Sequence, residues 1–119
     1  MSLKHSLKKI RDAYITNQVT RLPIPEFTPS RLCRYRILFS GRVQKVGFRQ
    51  EVRELALRLG LTGFCKNLES GDVVAELQGP EHKIQFLISF MESLKRIKIR
   101  RKVLEEIALS EEETGFLRL

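Results

Sequence analysis

Two glycines and an arginine lie close together between residues 40 and 49 of the 119-residue chain. Gly41 and Gly47 allow a tight backbone turn, and Arg49 falls in the first turn of the helical pattern that follows. Helix N-termini present unpaired N–H groups and a partial positive charge, and a guanidinium can bind two phosphate oxygens at once. The segment is therefore a candidate phosphate-binding site. Ordinary turns with a solvated arginine show the same spacing, so spacing alone leaves both interpretations open.

The composition indicates a globular protein with an anionic partner. The net charge is +8, and 42% of the residues are apolar, which is normal for a globular domain. Excess positive charge attracts phosphorylated metabolites, nucleic acid or acidic surfaces, although it also promotes solubility. The chain has no tryptophan and two tyrosines, which argues against an aromatic platform for single-stranded nucleic acid.

The cysteines and histidines form no recognisable metal or redox motif. Cys33 and Cys65 lack the spacing of a disulfide framework, and His5 and His82 lie far apart in the sequence. We therefore expect no metal and no cofactor. We also expect no membrane association, because no apolar run is long enough to span a bilayer. The basic N-terminus lacks the apolar core of a secretory signal, so a cytoplasmic, reducing location is expected.

Residues 1–33 are expected to form a short basic helix followed by an extended linker. Leu3, Leu7, Ile10 and Tyr14 recur at helical spacing with basic residues around them. Three prolines then follow within seven residues and favour an extended connector. A docking or dimer contact and a simple packing extension are both open as roles for this segment.

Residues 34–119 show the pattern of one α+β domain. Strands are predicted over 34–39, 61–68, 73–78, 102–109 and 116–119, and helices over 50–59 and from Gly79-Pro80-Glu81 onward. Leaving aside the short final strand, the order is βαββαβ. This is the split βαβ, or ferredoxin-like, arrangement, in which two helices pack on one face of an antiparallel sheet. The basic run from Lys95 to Lys102 obscures where the fourth strand begins.

Four segments of this domain resemble the acylphosphatase family. Gly41–Arg49 (Gly-Arg-Val-Gln-Lys-Val-Gly-Phe-Arg) is similar to that family's signature Gly-x-Val-Gln-Gly-Val-x-Phe-Arg. Gly60–Asn67 is similar to its Gly-x-x-Gly-Trp/Phe-x-x-Asn segment. Gln78–Glu81 and Gly115–Arg118 also fit, and all four occur in the right order. The resemblance covers roughly residues 34–119.

The resemblance implies an enzyme that hydrolyses the carboxyl–phosphoryl bond of small acyl phosphates without a metal or cofactor, releasing inorganic phosphate. It assigns Arg49 as the catalytic arginine that binds the phosphoryl group and Asn67 as the residue that holds the attacking water. An acyl phosphate already carries a good leaving group, so positioning and charge stabilisation can suffice. Backbone amides of the phosphate-binding loop would complete the site: Gln44, Lys45, Val46, Gly47, Phe48 and Arg49.

Lys45 departs from the family signature, which has glycine at that position. If the position requires a positive φ, a lysine is strained there by roughly 1 kcal/mol. The lysine ammonium could instead help to bind the phosphate, or the altered loop could bind it poorly.

Two other functions compete with the enzyme. The first is a non-catalytic acylphosphatase-like module that binds nucleic acid or an acidic partner through its basic surface, because one fold hosts many functions. The run from Lys95 to Lys102 is the feature that favours it. The second is the amino-terminal unit of a hydrogenase-maturation carbamoyltransferase, which the short chain disfavours.

Overall fold

The computed structural model describes residues 2–119, and within them the chain forms three helices and one five-stranded sheet. The strand order is β4-β1-β3-β2-β5. The predicted α+β, ferredoxin-like arrangement is confirmed, but the sheet is mixed, because β5 joins it parallel to β2 while the other neighbours are antiparallel. The elements are α1 (Leu3–Arg21), β1 (Leu32–Arg42), α2 (Phe48–Leu59), β2 (Thr62–Asn67), β3 (Val73–Pro80), α3 (Glu81–Ser93), β4 (Lys98–Ile107) and β5 (Phe116–Arg118).

The core lies between one face of the sheet and the helices. Alternate residues of β1 and β3 are buried there, as expected for strands with one packed face. The apolar side of α2 is buried against them. At the end of the core nearest the β1–α2 loop, the ring centroids of Phe39 and Phe48 lie 4.9 Å apart. This contact packs the first residue of α2 against the sheet. The buried core side chains of these three elements are Cys33, Ile37, Phe39, Val73, Ala75, Leu77, Phe48, Val52, Leu55, Ala56 and Leu59.

An ion-pair network on the opposite face of the sheet positions β5. The Arg34 side chain is buried and pairs with Glu76 at 2.9 Å and with Glu113 at 2.6 Å. Glu113 belongs to the loop between β4 and β5. The pair therefore anchors the loop that brings β5 alongside β2.

Several strand and helix boundaries differ from the predicted ones. The fourth strand, β4, begins at Lys98 and not at residue 102. The reason is that α3 ends at Ser93 and the chain turns back toward the sheet at the buried residue Ile97. The first strand extends to Leu32–Arg42, since both β3 and β4 pair along its length. α2 begins two residues earlier than predicted, directly after Gly47.

The N-terminal helix packs through a different face from its apolar stripe. α1 has 19 residues, and the stripe residues Leu3, Leu7, Ile10 and Tyr14 are each between 56% and 76% exposed. The buried residues of α1 are Ile15 and Val19, which belong to the main core. Successive helical residues project roughly 100° apart, so this pair faces away from the stripe. The stripe is therefore a solvent-exposed surface, and α1 docks onto α2 beside it.

The segment between α1 and β1 also lies against the rest of the protein. The Arg58 guanidinium donates to the main-chain oxygens of Val19 and Leu22, at 2.6 and 2.5 Å, and so caps the end of α1. Farther along, the ring of Phe27 packs edge-on against that of Phe86. These contacts give residues 22–31 a fixed path, although the division of the chain into residues 1–33 and 34–119 stays a prediction.

The contact between α1 and Gly47 gives a stability prediction. A Cβ built on Gly47 would lie 2.4 Å from Cδ1 of Ile15, and Gly47 has a φ of +79°. Gly60 has a similar φ of +73° with nothing within 4 Å of the corresponding position. We expect Gly60→Ala to lower the free energy of unfolding by about 1 kcal/mol and Gly47→Ala by about 2–4 kcal/mol, because overpacking adds to the backbone strain.

Urea unfolding of both variants tests this difference. Ile15→Val removes Cδ1, so the additional penalty of Gly47→Ala should shrink in that background. Equal losses for the two alanine variants in the wild-type background would contradict the proposed packing of α1 against Gly47.

Candidate active site

The loop between β1 and α2 turns the backbone into the left-handed region twice. Lys45 has a φ of 64° and Gly47 one of 79°, and Gly47 is the N-cap residue of α2. Among residues 2–119, Lys45 is the one non-glycine residue with a positive φ, so the position where the family signature has glycine does require this conformation. The Glu51 N–H donates to the Gly47 carbonyl at 3.0 Å. The amides of residues 48–50 precede that bond and form the N-terminal donors of the helix.

A cavity of about 590 Å³ opens at this end of α2. Arg49 in the first turn of α2 and Asn67 at the end of β2 both line it. Four of the other predicted loop residues line it as well, and Val46 does not. The structure therefore brings the two predicted catalytic side chains and most of the loop to one place. The lining is Ser2, Lys4, His5, Leu7, Lys8, Arg11, Val43, Gln44, Lys45, Gly47, Phe48, Arg49, Asn67 and Arg118.

The Arg49 guanidinium is held in a cationic, partly buried environment. Its Nη1 donates to the main-chain oxygen of Leu119 at 2.7 Å. Burial lowers the pKa of Arg49, and the nearby Arg118 cation lowers it further. The guanidinium nevertheless stays protonated, because arginine does not lose its proton in proteins. An anion placed in the cavity would offset the repulsion from Arg118 and stabilise the charged guanidinium, so the site favours binding of a negatively charged group.

Asn67 offers a hydrogen-bond acceptor that the protein does not use. Its Oδ1 is buried and accepts no hydrogen bond from any group within residues 2–119. A buried acceptor without a donor is unfavourable by about 1–3 kcal/mol. The atom can therefore accept a hydrogen bond from a water molecule in the cavity, which would leave the lone pairs of that water oxygen available for attack.

The Gln44 side chain connects the loop to the turn between β2 and β3. Its Nε2 donates to the main-chain oxygens of Leu68 and Asp72, at 2.8 and 2.9 Å. Leu68 directly follows Asn67. Gln44 therefore holds the loop and the Asn67 end of β2 at a fixed separation.

A buried ion pair supports the loop from behind. The Arg96 Nε donates to the Val46 carbonyl at 2.7 Å, and its Nη2 donates to Oε1 of Glu51 at 2.6 Å. Glu51 is fully buried in the first turn of α2. The pair thus joins the loop, the helix and the segment before β4.

Sequence reasoning missed Arg96, Arg118 and the contribution of α1. Arg96 falls in the basic run before β4, and its partner Glu51 lies 45 residues away in the sequence, so no local pattern reveals the pair. Arg118 donates to Oε1 of Gln50 at 2.7 Å and to Oδ2 of Asp12 at 3.0 Å. It ties β5 to α1 and α2 beside Arg49. Only the basic residues around the predicted N-terminal helix indicated a functional face there.

The described part of the chain contains neither a metal-binding cluster nor a membrane-spanning helix. Within residues 2–119, no group of three or more His, Cys, Asp or Glu side chains is arranged to hold a metal ion. None of the helices in that range combines the length and apolarity needed to cross a membrane. Cys33 and Cys65 are both buried and unpaired.

Comparison with known proteins links this arrangement to one family. The acylphosphatase family model matches residues 35–117. A Clostridium beijerinckii acylphosphatase is 43% identical over 65 residues, which are 55% of this chain and 69% of that protein. The crystal structure of acylphosphatase from Bacillus subtilis superposes with a TM-score of 0.68 at 31% identity, covering 75% of this chain and 99% of that one. Full-length HypF in its phosphate- and nucleotide-bound form also gives a TM-score of 0.68, at 26% identity, but this match covers 12% of HypF and 80% of this chain.

The buried carboxylate behind the loop gives a pH-dependent stability prediction. Burial raises the pKa of Glu51, and Arg96 opposes that shift. A carboxyl with a raised pKa binds more protons in the folded than in the unfolded chain, so its contribution to stability is lost as the pH rises through the folded pKa. We therefore expect Glu51→Gln, which cannot ionise, to gain stability relative to the wild type as the pH rises from 4 to 8.

Urea unfolding across this pH range measures the difference. Glu112→Gln removes an exposed carboxylate from the loop before β5 and controls for the loss of one charge. Parallel pH profiles for Glu51→Gln and the wild type would contradict the prediction.

Proposed function

The chain belongs to the acylphosphatase family, and we propose that it hydrolyses acyl phosphates to a carboxylate and inorganic phosphate without a metal ion. In this proposal Arg49 binds the phosphoryl group and Asn67 holds the attacking water. One observation carries it: Arg49, the N-terminus of α2 and Asn67 line one cavity, and the buried Oδ1 of Asn67 has no hydrogen-bond partner within residues 2–119. That combination provides anion binding and water placement at the same point.

The phosphoryl group would be bound by charge and by main-chain donors. The loop amides from Gln44 to Arg49 and the Arg49 guanidinium can donate to its oxygens, and the α2 N-terminus adds partial positive charge. Negative charge is spread over these oxygens in the transition state of phosphoryl transfer. Donors fixed in place before the reaction stabilise that charge without reorganising.

The reaction itself needs few groups from the protein. A water held by Asn67 Oδ1 attacks phosphorus, a new P–O bond forms, and the bond from phosphorus to the acyl oxygen breaks. The bonding electron pair leaves with the carboxylate, and the water proton passes to solvent or to the phosphate product. Because a carboxylate is a good leaving group, alignment of the water is the main remaining requirement.

Two of the six basic residues in the run from Lys95 to Lys102, the feature that favours a nucleic-acid or acidic-protein partner, are engaged in other contacts. Arg96 binds Glu51 and Val46, and Lys102 pairs with Glu92 at 2.9 Å. The acylphosphatase function is better supported than the binding module, because the acylphosphatase family model matches residues 35–117. We also propose a small acyl phosphate as the physiological partner and a cytoplasmic location, in which unpaired cysteines remain reduced.

Replacement of the two catalytic side chains tests the proposed function. With EDTA present, we expect Arg49→Ala and Asn67→Ala each to lower kcat/KM for benzoyl phosphate by about 10²–10³, because each removes a group that acts on the transition state. Arg53→Ala, one turn farther along α2, and Asn17→Ala, on the exposed side of α1, are matched controls that should retain activity. Wild-type turnover by Asn67→Ala would refute its assigned role.

Two substitutions at Lys45 separate backbone strain from charge. Lys45 has a positive φ and lines the cavity. Lys45→Gly should raise the free energy of unfolding by about 1 kcal/mol, because it relieves the left-handed strain. Lys45→Ala keeps the Cβ, so it should leave the free energy of unfolding close to that of the wild type. If the ammonium helps to bind the phosphoryl group, both variants will show a higher KM for benzoyl phosphate; a higher kcat in Lys45→Gly alone would show instead that the lysine impairs the loop.

A further inference from the structure

The N-terminal helix forms one wall of the catalytic cavity. It lies outside the region that the family model matches, residues 35–117, yet Lys4, His5, Leu7, Lys8 and Arg11 of α1 all line the cavity. Of these, Lys4, Lys8 and Arg11 are spaced by four and three residues, which places them on one helical face. α1 thus presents a basic stripe to the site, beside the exposed apolar stripe.

Several contacts fix this wall in place. Ile15 and Val19 are buried in the core. The Gln50 Nε2 donates to the Thr16 hydroxyl at 2.9 Å, and Asp12 pairs with Arg118 at 3.0 Å. Gln50 belongs to α2, which also carries Arg49, and Arg118 belongs to β5, which lies beside Arg49. The position of the basic stripe relative to the phosphate loop is therefore set by direct contacts.

The cavity carries more positive charge than one phosphoryl group requires. Six of its lining residues are Lys or Arg, and none is Asp or Glu. Asp12 pairs with both Arg11 and Arg118. Lys4 and Lys8, in contrast, take part in no ion pair within residues 2–119. Arg49 and the loop donors serve the phosphoryl group, which leaves the two lysines available for another anion.

We infer that Lys4 and Lys8 bind a second anionic group on the acyl part of the substrate. The preferred substrate is then an acyl phosphate that also carries a carboxylate or a further phosphate, and this inference rests on the proposed acylphosphatase function. The cavity volume of about 590 Å³ falls in the range of small-molecule sites, roughly 300–1,000 Å³, so it has room for such an acyl part. α1 therefore acts as a specificity element added to the catalytic domain.

A pair of matched substrates isolates the second charge. 4-Carboxybenzoyl phosphate carries a carboxylate that is too far from its own phosphoryl group to react with it. Its methyl ester, 4-(methoxycarbonyl)benzoyl phosphate, has nearly the same shape without the charge. The measured quantity is the ratio of kcat/KM for the acid to that for the ester.

Lys4→Gln/Lys8→Gln is the test variant, and Lys9→Gln/Lys95→Gln is its control. Lys9 and Lys95 are exposed and do not line the cavity, so the control changes the net charge equally. We expect a wild-type ratio above one, which falls about five- to tenfold in the test variant through a higher KM for the acid, the size expected for partly exposed ion pairs. The control should keep the wild-type ratio, and added salt should reduce the wild-type ratio by screening.

The outcomes distinguish this inference from the proposed function. If both substrates are hydrolysed in an Arg49-dependent manner but the ratio is the same in the test variant and the wild type, the role of Lys4 and Lys8 is overturned and the acylphosphatase function stands. An equal fall of the ratio in the control variant would also overturn the role of Lys4 and Lys8, because the loss of any two positive charges would then explain the effect. If the wild type hydrolyses neither substrate, the proposed function fails and the inference fails with it. Urea unfolding of each variant confirms that α1 remains folded.

Discussion

The backbone between β1 and α2 adopts a conformation that most residues avoid, and the arrangement of the site follows from it. Lys45 and Gly47 both lie in the left-handed region, and Gly47 ends the loop as the N-cap of α2. This bend directs the first amides of α2 and the Arg49 side chain toward the cavity. Left-handed conformations are unfavourable for L-residues by roughly 1–2 kcal/mol, so the surrounding structure has to hold the lysine in place.

Supports from three separate parts of the fold hold the bend. Gln44 binds main-chain oxygens of the β2–β3 turn, the Arg96–Glu51 pair holds the Val46 carbonyl, and Ile15 of α1 packs against Gly47. Each support comes from a different direction, so the loop depends on the whole sheet and helix arrangement. α1 has two functions in this account, since the helix that packs behind Gly47 also places its lysines along the cavity.

Local patterns in the sequence predicted most of the fold and the turn that carries Arg49, whereas Asn67 was assigned to the site only through the resemblance to the acylphosphatase family. The glycine-containing turn, the first-turn position of Arg49 and the hairpin before β3 all depend on short stretches, and the structure places Arg49 and Asn67 on one cavity. The start of β4 could not be predicted from a local pattern, because the burial of Ile97 depends on how the chain runs from the end of α3 back to the sheet. The packing face of α1 is likewise set by contacts with α2, and the partner of Arg96 is far away in sequence. Such features arise from tertiary contacts, which periodicity does not encode.

A crystal structure of the protein with inorganic phosphate bound would show directly whether the β1–α2 loop binds a phosphoryl group. Phosphate is the proposed product and a tetrahedral analogue of the group to be bound. We expect the ion at the N-terminus of α2, within hydrogen-bonding distance of loop amides between Gln44 and Arg49 and of the Arg49 guanidinium, with Asn67 Oδ1 accepting from an ordered water beside it. An ion bound elsewhere, or an Asn67 side chain turned away from that water, would contradict the account.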